Sequence, residues 1–66
     1  MIRLKEWRER RGLTQTELAE RSDVPQSVIS SIERGVTQHP TITVLMKLAD
    51  ALDVGLEELV GEEQPQ

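Results

Sequence analysis

Apolar residues recur along the chain at helical spacing and are interrupted at short intervals. Leu4, Trp7, Arg8 and Arg11 share one helical face, and Gly12 is placed to end that short, basic helix. The segment "TQTE", Thr14 to Glu17, is a capping box, in which the Thr hydroxyl and the Glu carboxylate meet amides that a helix start would leave free. Leu18 and Ala19 face inward behind it. Ser22 and Asp23 then break the period, and Pro25 suits the first position of a third helix. Val28, Ile29 and Ile32 form its apolar stripe, and Gly35 stops it. The stretch "VTQHPT" reads as a loop, with Thr41 available as the cap of the next helix. Ile42, Leu45, Leu48, Ala49 and Leu52 then give the clearest amphipathic pattern in the chain. A last turn or two, "LEELV" after Gly55, carries Glu57 and Glu58 where a helix start favours acids. The pattern predicts an all-α fold of five short helices, with residues 1–61 as one domain and 62–66 as a short flexible tail. No strand pattern or internal repeat competes with it.

Length and composition narrow the picture. A chain of 66 residues is near the size at which one core only just holds a fold together, and it has no cysteine to add a disulfide or a thiolate metal site. Tightly packed helices are the remaining solution. No apolar run approaches a membrane span, and the start "MIRLKEWRERRG" lacks the apolar block of a signal peptide, so a cytoplasmic protein is expected. The net charge of −4 argues at first against a nucleic-acid partner. Its distribution argues otherwise. Residues 1–35 carry seven Arg/Lys against six Asp/Glu, whereas residues 36–66 carry Lys47 against six acids. Such asymmetry suits a molecule with one face for an anion and another kept away from it.

Two of the predicted helices are separated by only a few residues around Ser22 to Val24, so they must cross steeply. The residue facing the partner backbone then has to be small, as Ala19 is, and the turn has to tolerate a left-handed residue, as Asp23 does. This is the arithmetic of a helix-turn-helix. The second helix of the pair turns outward a row of Gln26, Ser27, Ser30, Ser31 and Arg34 in place of the usual Glu/Lys mixture. Arg8 and Glu33 each flank an apolar stripe. Either would be costly to bury alone, so an ion pair between them is predicted.

The segments "GLTQTELAERSDVPQSVISSIERG" and "PTITVLMKLADALDVGLEELV" resemble the lambda-repressor-like, Cro-type (XRE) family of helix-turn-helix DNA-binding domains, from about Leu4 to Val60. The resemblance implies that the second helix of the pair enters the major groove with its first residues at base edges, while the helix before it meets the backbone. Gln26, Ser27 and Ser31 are then expected at bases, Gln26 with an amide suited to an adenine edge. Gln15 matches the family position that bonds a phosphate, with Thr14 as the structural cap. Ser30, Arg34, Thr37 and Gln38 are further phosphate candidates, although the loop lacks the family's common basic residues, which implies fewer backbone contacts and a shallower salt dependence. The family also carries the Arg8–Glu33 pair.

The function implied is a sequence-specific transcriptional regulator, a repressor that binds a pseudo-palindromic operator on double-stranded DNA as a homodimer. Leu56, Leu59 and Val60 are the dimer candidates, by resemblance and by their apolar character. The rival reading is a protein-interaction module, an antitoxin or adaptor whose acidic half binds a regulatory protein partner. Neither needs a cofactor. His39 stands alone, without a metal-ligand set, and no serine sits in a nucleophile elbow, so no metal and no enzyme activity is expected. Trp7 reads as core, and Arg10, Arg11 and Arg21 as solvated charges.

Overall fold

The computed structural model describes residues 2–37 and 39–61, and the described residues form five α-helices: α1 (Leu4–Arg10), α2 (Gln15–Ser22), α3 (Gln26–Glu33), α4 (Ile42–Leu52) and α5 (Leu56–Val60). The segment expected as a tail, 62–66, lies outside the described residues, as does Gln38.

Each break in the hydrophobic pattern corresponds to a specific backbone device. Gly12 takes φ +71, and its N–H donates to the Glu9 carbonyl while that of Leu13 donates to the Arg8 carbonyl. This is a Schellman end, which needs a left-handed residue just past the helix. Gly35 repeats it behind α3 at φ +79, with Val36 N–H donating to the Ser31 carbonyl. Behind α2 and α4 the left-handed residues are Asp23 (φ 62) and Asp53 (φ 59), which pay a small steric cost that glycine would avoid. The capping box at α2 is complete: Glu17 N–H donates to Thr14 Oγ1 at 3.0 Å, and Thr14 N–H to Glu17 Oε1 at 2.9 Å. Thr41 caps α4 through Val44 N–H at 3.2 Å. Pro25 stands one place earlier than the spacing suggests. It is the N-cap of α3, with ψ 144, and its carbonyl accepts from Val28 and Ile29.

α4 packs on α2, α3 on α2 and α1, and α5 on α4 and α1. Between them lies one core of Leu4, Leu13, Leu18, Val24, Ile29, Ile32, Leu48, Ala49, Leu52 and Leu59. Two expectations fail here. Ile42 begins the α4 stripe in sequence but is 56% exposed, because the first turn of α4 projects beyond the core. Leu59, expected at a dimer interface, is fully buried within its own chain. The cause is local: α5 is pinned against α1, where Arg3 N–H donates to the Leu59 carbonyl at 2.7 Å and the Trp7 indole N–H to the Glu58 carbonyl at 3.1 Å. Leu59 is the inward residue of that docked turn.

Arg11 also departs from its reading as a solvated charge. Its Nε donates to the Leu52 carbonyl at 2.7 Å and its Nη2 to the Asp53 carbonyl at 3.3 Å, so it closes the C-terminal end of α4. A cation there meets carbonyls left without an intrahelical partner and the negative end of the helix dipole. Arg10 and Arg11 both lie over the half-buried Trp7 ring, at 4.9 and 5.4 Å from its centroid.

Candidate nucleic-acid interface

The outer surface of α3 follows from its sequence at about 100° per residue. Ile29 and Ile32 fall on the buried arc, with Val28 beside them half-buried, and Gln26, Ser27, Ser30, Ser31 and Arg34 share the opposite arc. Gln26, Ser27 and Arg34 are exposed, while Ser30 and Ser31 are half-buried. Ser30 Oγ accepts from Arg34 Nε at 3.3 Å, so these two phosphate candidates are tied to each other. The Ser31 carbonyl holds the start of the following loop through the N–H groups of Val36 and Thr37, which fixes Thr37 beside the end of α3. Gln38 lies outside the described residues.

Glu33 sits at the edge of the buried arc, next around the helix from Gln26. Its carboxylate accepts from Arg8 Nε at 2.7 Å and Nη2 at 3.2 Å, and Arg8 Nη1 donates to the Leu13 carbonyl at 2.7 Å. The side chains are only 12% and 4% exposed, so this is an ion pair removed from water with its donors used. Hydrogen bonding to Glu33 raises the Arg8 pKa against the lowering effect of burial. Both partners fulfil the pairing that cost of burial predicted.

The Glu33 carboxylate also reaches across to α2, which the residue pattern alone does not show. Gln15 Nε2 donates to Glu33 Oε1 at 2.9 Å, Gln26 Nε2 lies 3.4 Å from Gln15 Oε1, and Thr16 Oγ1 lies 3.4 Å from Gln26 Oε1. The phosphate candidate Gln15 and the base candidate Gln26 thus belong to one chain of polar groups that starts at a buried charge. Thr16 was not singled out from sequence. The signal available was its place in the first turn of α2 beside Gln15, which says nothing without the packing of α2 on α3. Gln15 and Thr16 stand in the first turn of α2, where helix N–H groups lack intrahelical partners, with the Glu17 carboxylate of the capping box in the same turn.

Of the expected residues, α2 and α3 bring together Gln15, Gln26, Ser27, Ser30, Ser31 and Arg34 along one edge, with Thr37 at its end. Leu56 and Val60 are half-buried on α5, and Val60 shares a groove with Arg34 and Thr37. Val60 borders an open groove of about 670 Å³ that Ile32, Pro40 and Leu45 also line. Among the described residues there is no cluster of His, Cys, Asp or Glu able to hold a metal ion, and no helix long and apolar enough to cross a membrane.

A pair of helices joined by a left-handed residue, with the second helix turned outward in amides and hydroxyls, defines a helix-turn-helix domain. The helix-turn-helix family model matches residues 4–59, and the chain belongs to the lambda-repressor-like, Cro-type family of helix-turn-helix DNA-binding domains, which is not an enzyme family. It is 40% identical over 60 residues to the transcriptional regulator SinR of Bacillus licheniformis, spanning 91% of this chain and 54% of that protein. It therefore covers about half the length of this relative. A structure of SinR, described as the master regulator for biofilm formation, in complex with DNA superposes with a TM-score of 0.86 at 39% identity, over 89% of this chain and 94% of that one. A structure of the SinR/SinI complex superposes with a TM-score of 0.88 at 41% identity, over 94% of this chain and 62% of that one.

Proposed function

We propose that this chain binds double-stranded DNA sequence-specifically and regulates transcription as a repressor, in the cytoplasm, with α3 in the major groove and the start of α2 on the phosphate backbone. The observation that carries this reading is the single polar edge on which α2 and α3 present Gln15, Gln26, Ser27 and Ser31 together. Gln26, Ser27 and Ser31 contact bases. Gln15, Ser30, Arg34, Thr37 and Gln38 contact phosphates. The likeness to a SinR structure bound to DNA supports it. Repression follows from occupancy, since a domain seated in the groove excludes other proteins from the same base pairs.

A single module of this size reads few base pairs, so specificity calls for two copies on a pseudo-palindrome, with recognition helices about 34–36 Å apart. The dimer contact is assigned to Leu56 and Val60, which leave apolar surface uncovered on α5, and not to Leu59. Sedimentation on an operator duplex tests it: a monomer with and without DNA would remove the dimer from the proposal.

The exposed Asp50, Asp53, Glu57 and Glu58 favour a second role beside the first, a regulatory protein partner on the acidic side of the molecule. The SinR/SinI complex shows a similar chain in a protein complex. The test of the main reading is selection from a randomised duplex library at two salt concentrations, with wild type and Gln26→Ala. Enrichment of a palindrome that fades with salt, and relaxes at one base pair in the variant, is the expected result. No enrichment even at low salt would reject it.

A further inference from the structure

The polar chain between α2 and α3 does more than join two helices, because its chemistry dictates which way round two amides sit. An ionised carboxylate accepts hydrogen bonds and donates none. The Gln15 atom that meets Glu33 Oε1 at 2.9 Å is therefore Nε2, which leaves Gln15 Oε1 turned toward α3. An oxygen in that place needs a donor, and Gln26 supplies Nε2 at 3.4 Å. Gln26 Oε1 is then left facing Thr16, whose hydroxyl donates to it at 3.4 Å. Without the carboxylate at one end, either amide could turn over and exchange its donor for its acceptor, since the two groups are nearly equal in size, whereas the Thr16 hydroxyl, able to donate or accept, holds Gln26 in place without choosing its order. Glu33 is 4% exposed and Gln26 lies on the surface, so a buried charge sets the polarity of an exposed amide. The second hydrogen on Gln26 Nε2 and the second lone pair on its Oε1 stay free for a ligand.

We infer that Glu33 and Thr16 are positioning residues for base reading. Glu33, through Gln15, sets the order in which Gln26 presents its donor and acceptor, and Thr16 restrains that amide in place, before a base edge that offers the complementary order, as adenine does in the major groove. The inference rests on the operator reading above. An amide free to turn over would present both orders, and discrimination at that base pair would fall while the remaining contacts persisted.

The test is duplex-library selection with the full chain as wild type, Thr16→Val, Thr16→Ser and Glu33→Gln, read as base preference at each position. At the base pair that Gln26→Ala relaxes, preference should fall about threefold or more in Thr16→Val and in Glu33→Gln, with Thr16→Ser close to wild type. Preferences elsewhere in the site serve as the internal control, and ¹⁵N relaxation of the Gln26 side-chain amide in the free protein should show it loosened in Thr16→Val. Because Glu33→Gln also weakens the ion pair with Arg8, the two Thr16 variants decide the matter if it does not fold. Unchanged preference in Thr16→Val, or an equal loss at every position, overturns the inference. Failure of the wild type to enrich any site overturns the operator reading instead, and it is told apart because it appears in the unsubstituted protein.

Discussion

The α2–α3 edge and the α4–α5 face hold their polar groups in opposite ways. Along the first, side chains bond to one another: Glu33 with Arg8 and Gln15, Gln15 with Gln26, Gln26 with Thr16. Across the second, the ties run from Arg11, at the end of α1, and the Trp7 indole to backbone carbonyls of Leu52, Asp53 and Glu58, and the carboxylates of Asp50, Asp53, Glu57 and Glu58 remain at the surface. One edge therefore offers ordered neutral donors and acceptors, suited to a ligand whose pattern has to be read. The other offers negative potential, which repels phosphate. A net charge of −4 is compatible with DNA binding because the two are kept apart.

The comparison breaks most readily at the ion pair beneath the ordered edge. Arg8→Met leaves Glu33 buried with its main charge partner gone and should cost about 3–5 kcal/mol, most of the stability of a domain this small, visible as loss of a cooperative urea transition. On the other face, Leu59→Ala should cost about 2–5 kcal/mol in the same experiment, because it empties core and not interface. An unchanged midpoint would return Leu59 to the surface. Gln26→Ala should leave the midpoint in place and remove about 1–3 kcal/mol of discrimination at one base pair, measured by competition between operator variants. Thr14→Ala removes half of the capping box and should cost about 1 kcal/mol in thermal unfolding. At the small end, Glu57→Gln with Glu58→Gln should shift stability by no more than about 0.5 kcal/mol while modestly strengthening DNA binding at low salt.

What was legible in the sequence was local. The helix starts at Thr14 and Thr41, the stops at Gly12 and Gly35, and the left-handed turn at Asp23 each depend on a few neighbouring residues, and each stands where the pattern puts it. The Arg8–Glu33 pair was legible for a different reason: two charges flanking apolar stripes have few ways to avoid an uncompensated burial. The rest depended on how helices meet. Nothing near Arg11 in the chain announces the carbonyls of Leu52 and Asp53, so a charge that caps α4 looked like a solvated one. Leu59 looked like interface because α5 is too short to show which of its apolar residues faces inward until α1 is docked against it. Ile42 fits the period of α4, but periodicity does not say where the core ends along the helix axis. At the candidate interface, the residue types and their arc on α3 were readable, whereas the chain from Glu33 through Gln15 to Gln26 and Thr16 exists only once α2 packs on α3.

DNA is expected to meet the α2–α3 edge and not the acidic face. The most direct measurement is a ¹H–¹⁵N shift map of the full chain titrated with its enriched duplex, with side-chain amides included. The largest changes are expected at the backbone N–H groups of Gln15, Thr16, Ser27 and Ser31 and at the side-chain amides of Gln15 and Gln26, with Asp50, Asp53, Glu57 and Glu58 little moved except where two copies meet on α5. Changes centred on the α4–α5 acids, with the Gln15 and Gln26 amides undisturbed, would contradict this expectation.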